Sequence, residues 1–317
     1  MRLAILDDYQ NLALSLADWS RVKDRCDITV FDRNMTPDEA AQALQPFEMV
    51  IVMRERMPFR RALIERLPHL KFIVSTGARN RGLDSDAARE HGILVTHTSN
   101  LHAAATTLEL TWALILAAAR NIPYEDRMMR AGRWQDTLGM RLVDRTLGLA
   151  GFGKLGSAVA KIGQAFGMKT IAWSQNLTTE KAAAGGAELV TKDELFARAD
   201  IVSVHLVLSD RTRGLVGARE FGLMKPDSIF VNTSRGPIVD EAALVDTMQR
   251  KAIRRAALDV YDIEPLPVDH VLRKLDNVVL SPHLGYASED NYRQYFVDAL
   301  ENIEAWLAGN PIRVTLD

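Results

Sequence analysis

Three side chains of complementary chemistry follow three β-prone runs: Arg235 in VNTSRGPIVDEAAL (231–244), Glu264 in AALDVYDIEPLP (256–267) and His283 in SPHLGYAS (281–288). A guanidinium is a planar fork that pairs with a carboxylate through two hydrogen bonds. An imidazole titrates near neutral pH, so it gives a proton in one direction of a reaction and takes it back in the other. A glutamate beside that ring fixes its tautomer by a hydrogen bond. Reduction of a 2-oxo acid needs this set: a cation on the carboxylate and carbonyl, an acid for the developing alkoxide, and a hydride donor. Taken singly, each residue also reads as a surface charge, a loop residue or a turn cap. Their shared position behind strands of one parallel sheet would bring them to one crevice.

The place for a hydride donor is written further upstream. TLGLA (146–150) runs into Gly151-Phe152-Gly153-Lys154-Leu155-Gly156 and then SAVAKIGQAFG, whose Ala, Val and Ile fall at helical spacing. In such a strand–loop–helix unit the first glycine permits the tight turn, the second lets a pyrophosphate approach the backbone, and the third lets the helix pack closely. The helix N-terminus then offers its unpaired N–H groups to the phosphates. The next strand, TIAWS (170–174), should carry an acid at its tip for the adenosine ribose, yet the tip reads Ser174, Gln175, Asn176. These residues bond to a ribose without repelling a 2′-phosphate, so the cofactor is NAD or, alternatively, NADP.

Two sheets must position these groups. LAILDD (3–8), DITVFD (27–32), MVIVMR (49–54), KFIVSTG (71–77) and ILVTHT (93–98) alternate with helix-length segments such as Pro37 to Leu44 and Arg60 to Leu67. After an apolar helix, Ala103 to Arg120, and a polar stretch, Asn121 to Arg145, the alternation restarts at 146–152, 170–174, 188–190, 201–206, 228–234, 256–261 and 278–283. Continuous apolar strands with helical connections signal α/β architecture and parallel sheets covered on both faces. The fold class is therefore two doubly wound parallel-sheet domains. Residues 1–99 with 285–317 form a discontinuous flavodoxin-like substrate domain, closed by a helix over Glu289 to Leu307, and residues 100–284 form a Rossmann NAD(P)-binding domain, with a cleft between the two.

Composition bounds the partners. A formal charge of -2 gives no basic surface for nucleic acid. Polar residues interrupt the 103–120 helix too often for a membrane span, and Asp7 and Asp8 stand where a signal peptide needs an apolar core. The single cysteine, Cys26, cannot form an internal disulfide, and no Cys/His cluster has metal spacing, which fits a cytoplasmic protein without a metal.

The motifs GFGKLG, NTSRGPIVDE, LDVYDIEPLP and SPHLG, in this order over nearly the whole length, resemble the D-isomer-specific 2-hydroxyacid dehydrogenase family. The resemblance implies an NAD(P)-dependent oxidoreductase with Arg235, Glu264 and His283 as its catalytic set. It implies cofactor contacts from His205, Asn232, Thr233, Ser234, Asp259 (near the nicotinamide amide) and Gly285. Substrate contacts would come from Arg54, the backbone of Gly77 and Ala78, Arg235 and His283. It also implies a homodimer joined through the cofactor domain by the helix from Thr107 and the arm around Trp134. The chain departs from the family at the ribose tip and at the substrate loop STGARNRGLD, where Arg79 and Asn80 add bulk and charge, and at Thr98-Ser99-Asn100 before the long helix. Met57 and Met140 are pocket candidates, against the commoner role of methionine as core filler. The alternative function is a dinucleotide-responsive, corepressor-like binding protein with little turnover.

Overall fold

A computed structural model describes residues 1–315, and in it the chain divides into two compact units, Met1–His102 with Ala287–Asp317 and Ala103–Tyr286. The divisions fall at 102/103 and 286/287 rather than at 99/100 and 284/285.

The first unit holds strands β1 (Arg2–Ile5), β2 (Asp27–Val30), β3 (Met49–Val52), β4 (Phe72–Ser75) and β5 (Leu94–His97). They form one parallel sheet in the order β2-β1-β3-β4-β5, the flavodoxin order. The inner strands β3 and β4 are buried at all four positions, whereas the edge strand β2 alternates exposed and half-buried, as Asp27 and Thr29 demand. Thr36 and Glu39 form a reciprocal capping box that starts the helix Pro37–Ala43. The helix Glu289–Leu307 returns to this sheet, where Trp306 stacks on Phe72 with ring centroids 4.8 Å apart.

The second unit holds β6 (Thr146–Ala150), β7 (Lys169–Trp173), β8 (Glu188–Leu189), β9 (Ile201–Val204), β10 (Ile229–Asn232), β11 (Arg255–Leu258) and β12 (Val278–Leu280), all parallel, in the order β12-β11-β10-β9-β6-β7-β8. Counted within the unit, that is the Rossmann order with one added edge strand. Alternate residues face two apolar layers: Val202, Val204 and Phe230 one, Ile201, Ile229 and Val231 the other. Phe230 is fully buried and meets Phe221 edge-on at 5.2 Å, so truncating it to alanine would cost roughly 3–5 kcal/mol.

The polar stretch 121–145 contains the helix Ile122–Arg130. None of its residues is buried, so its apolar side chains gave no core-facing stripe by which to recognise it. The strands end one to three residues earlier than their apolar runs, because the last residues of each run leave the ladder and enter the loops that carry polar function. No helix among the described residues is long and apolar enough to cross a membrane.

Candidate active site

Strands β10, β11 and β12 lie side by side, with Asn232 opposite Leu258 and Leu258 opposite Leu280. The segments carrying Arg235, Glu264 and His283 therefore leave the sheet along one edge. Asn232 shapes the first of them, donating to the Arg235 carbonyl and accepting from the Ser234 N–H, each at 3.0 Å, while the Ser234 hydroxyl donates to the Val204 carbonyl at 2.9 Å. The Arg235 Nη1 donates to the Ser234 carbonyl at 2.7 Å. At Gly236 a Cβ would stand 2.0 Å from the Tyr261 carbonyl carbon, so only glycine lets the arginine segment run flush against the segment that holds Glu264.

Glu264 divides its carboxylate. Oε1 accepts the Tyr261 N–H at 2.9 Å, and Oε2 meets His283 Nδ1 at 2.5 Å. A carboxylate only accepts, so Nδ1 carries the proton of this bond and Nε2 is left as the working atom of the ring. Both side chains remain about a quarter to a third exposed, open enough to meet a ligand. His283 sits at φ 54°, in the left-handed region that histidine tolerates better than most residues. Asp259 holds that turn: Oδ1 accepts from the Ser281 hydroxyl (2.6 Å) and the Leu284 N–H (2.7 Å), and Oδ2 from the Gly285 N–H (2.9 Å). Burial pushes the Asp259 carboxyl up from its usual range, while these donors and His283 pull it back. The Gly285 carbonyl in turn accepts from the Thr107 hydroxyl at 2.8 Å.

The glycine loop separates its three roles physically. Gly151 takes φ 103° and a Cβ there would lie 2.5 Å from the His205 carbonyl oxygen. At Gly156 a Cβ would lie 2.2 Å from the Gly151 carbonyl oxygen, so this glycine seats the helix Lys154–Ala165 on the loop. At Gly153, in contrast, a Cβ would meet nothing within 4 Å, and no side chain caps the helix that begins beside it. Open space before uncapped helix N–H groups is the kind of place that takes the pyrophosphate of a dinucleotide. The Phe152 ring packs on Gly185 and leaves its own backbone to the loop.

The ribose tip follows β7, which stops at Trp173, one residue short of the sequence reading. Ser174 is half-buried, Gln175 and Asn176 are exposed, and Ser174 closes a turn by accepting the Leu177 N–H at 3.1 Å. Thr178 is spent as a helix cap, accepting from the Lys181 N–H. His205 directs Nε2 at the Ser203 hydroxyl, 2.9 Å away, while its Nδ1 is shut from solvent without a partner, and burial pushes the imidazole down to about 4. Thr233 is buried and shares a 2.9 Å hydrogen bond with Thr111.

In the other unit, Arg54 stands at φ 52°, its N–H bonded to the Thr76 hydroxyl at 2.8 Å. Gly77 takes φ 80°, donates to the Thr98 hydroxyl at 2.7 Å, and lies under Arg54: a Cβ there would be 1.9 Å from Nη1. Ala78 and Arg79 are exposed. Asn80 is a loop brace, donating to the Arg54 carbonyl at 2.6 Å and accepting the Gly82 N–H at 2.8 Å. Sequence reasoning missed that brace and missed Tyr295, whose hydroxyl bonds to the Arg54 side chain and to Asn100. Met57 and Met140 are core residues, each 3% exposed.

Comparison with known proteins identifies the family. Residues 112–285 match the family model of the D-isomer specific 2-hydroxyacid dehydrogenase, NAD binding domain. Glyoxylate reductase of Aeropyrum pernix is 40% identical over 256 residues, 78% of this chain and 76% of that protein. D-3-phosphoglycerate dehydrogenase of Methanocaldococcus jannaschii is 36% identical over 87% of this chain, which spans only 52% of that longer protein. The crystal structure of phosphoglycerate oxidoreductase from Vibrio cholerae O395 superposes with a TM-score of 0.91 at 39% identity, covering 98% of this chain and 99% of that one. With two parallel α/β sheets, a glycine loop at an open helix end and a paired Glu–His at the strand exits, the chain belongs to the D-isomer specific 2-hydroxyacid dehydrogenase family.

Proposed function

We propose that this chain is an NAD(P)-dependent dehydrogenase that interconverts a small 2-oxo acid and its D-2-hydroxy acid through Arg235, Glu264 and His283. The observation that carries the reading is the 2.5 Å bond from His283 Nδ1 to Glu264, which leaves Nε2 to face a substrate oxygen. The Arg235 guanidinium pairs with the substrate carboxylate and draws electron density from the adjacent carbonyl. A reduced nicotinamide, when bound, would supply the hydride for the carbonyl carbon. His283 gives its Nε2 proton to the oxygen as negative charge develops there, and in oxidation it takes that proton back. Glu264 holds the ring in the donating orientation and balances its positive charge while both nitrogens are protonated. Backbone N–H groups at Gly153 to Leu155 hold the pyrophosphate; Ser174 and Gln175 hold the ribose of either dinucleotide; His205, Asn232 to Ser234, Asp259 and Gly285 line the remainder. Arg54, Gly77 and Ala78 contribute substrate contacts.

Glyoxylate is the first substrate to test, because the glyoxylate reductase relative shares this chain's length more closely than the phosphoglycerate dehydrogenase does. The reading includes a homodimer through the cofactor domain, by the helix from Thr107, the Ile122–Arg130 helix that follows it and the arm around Trp134. Ile122, Met129, Trp134 and Leu138 are each more than half exposed there, an apolar series that one chain leaves uncovered. It also includes the cytoplasm, where the thiol of the buried Cys26 stays reduced. Replacing His283 with alanine should lower kcat by about 10²–10⁴-fold while NADH fluorescence still reports binding. Turnover within threefold of the parent would remove His283 from the mechanism.

A further inference from the structure

At the amino ends of β11 and β12, opposite the edge that carries Arg235, Glu264 and His283, lies a cavity of about 450 Å³. Its size is that of an ordinary small-molecule site. Four cationic residues line it, Lys251, Arg254, Arg255 and Lys274, against a single carboxylate, Asp276. That carboxylate is already engaged, bonded to Arg127 at 2.6 Å. Among the described residues, the side chains of Lys251, Arg254 and Lys274 make no hydrogen bond or ion pair. Arg255 is partly buried: Nη1 reaches the Ala118 carbonyl at 3.3 Å, but Nε is shut from solvent with no partner. Burial and the neighbouring Arg254 disfavour its charge, and the Glu125 carboxylate favours it.

Glu125 offsets part of the Arg255 charge, but no acid pairs with Lys251, Arg254 or Lys274 among the described residues, and nothing in the packing explains these three cations around one concavity in a chain whose net charge is -2. Elsewhere in this unit, Arg198 and Arg219 pair with Glu188 and Asp193 at 2.7 and 2.6 Å. We propose that this cavity is a second ligand site, binding a small anion with at least two negative charges on phosphate or carboxylate groups. Lys251, Arg254 and Lys274 close on the anion from the rim, and the partly buried Arg255 adds its charge from beneath. The four-residue strand β11 separates the two ends of the sheet by roughly 10 Å, so the anion is bound apart from the reacting carbon.

Isothermal titration of the full chain with pyrophosphate and with citrate, at low ionic strength, tests this. The expected result is saturable one-to-one binding of at least one of them, unaffected by saturating NADH. The Lys251→Gln/Lys274→Gln double variant should bind at least tenfold more weakly with turnover unchanged, whereas the charge-matched Lys23→Gln/Lys161→Gln variant should bind like the parent. Preference for pyrophosphate assigns a phosphate ligand, and preference for citrate a polycarboxylate. Three results each overturn the proposal: no binding of either anion at millimolar concentration, equal weakening in both double variants, or displacement by NADH, which would put the anion at the Gly151–Gly156 loop.

Discussion

Glu264→Gln isolates the pairing of the two strand exits with little structural disturbance, since the side chain is 32% exposed and the replacement is isosteric. The carboxylate serves two donors at once, the Tyr261 N–H and His283 Nδ1–H. An amide accepts through one end only. If its oxygen stays on Tyr261, its NH₂ faces Nδ1 and opposes the doubly protonated ring; if its oxygen faces Nδ1, the NH₂ opposes the Tyr261 N–H. In either arrangement one charge-assisted bond to the imidazolium is lost or mismatched, a cost of about 1.5–3 kcal/mol in the proton-transfer step. That corresponds to a fall in kcat/KM of roughly ten- to 150-fold. Because the variant cannot change the equilibrium constant, glyoxylate reduction and glycolate oxidation at one pH must fall by the same factor. The assay is the initial rate of NADH or NADPH consumption and formation at 340 nm, with a fluorescence titration of NADH beside it. Loss below threefold with intact cofactor binding would refute the role given to Glu264, and a large loss of NADH affinity would place it in the cofactor site instead.

The glycine loop gives a second test: Gly156→Ala puts a methyl 2.2 Å from the Gly151 carbonyl oxygen, and should lower stability by about 1–3 kcal/mol in urea unfolding and weaken NADH binding at least tenfold. Gln175→Asp should penalise NADPH at least tenfold more than NADH in direct titration, since a carboxylate there repels the 2′-phosphate; equal effects would show that the tip never meets the ribose. His205 provides a pH test. Its folded value of about 4 lies below the unfolded value of about 6.5, so the unfolded chain takes up a proton first as pH falls. Stability is therefore full above pH 6.5 and declines toward pH 4, by about 2 kcal/mol at pH 5. Urea unfolding of the parent and of His205→Gln at pH 7 and pH 5 should show the parent losing more, and parallel losses would argue against a buried neutral ring.

Much of the scaffold was legible because parallel strands are apolar on both faces, so MVIV and IFVN announce themselves as runs. The helix Glu289–Leu307 was legible to the residue, through its periodicity. Strand ends were not: VNTS reads as one run, yet the ladder stops at Asn232, where the side chain turns to brace Arg235. Nor was the helix Ile122–Arg130, whose apolar residues face outward. Residue types and order put Arg235, Glu264 and His283 forward as candidates. They could not show that Asp259 commits both oxygens to the 281–285 turn, or that Asn80 braces Arg54, because such bonds depend on which way a short polar side chain points.

The left-handed backbone at His283 separates architecture from reactivity. Asparagine is among the residues that enter that region most readily, and its amide oxygen is no proton donor. His283→Asn should therefore preserve the curl of the peptide while silencing the acid. Such a protein would still bind dinucleotide and acid, a standing trap for the ternary complex in a chain that has otherwise changed by one ring.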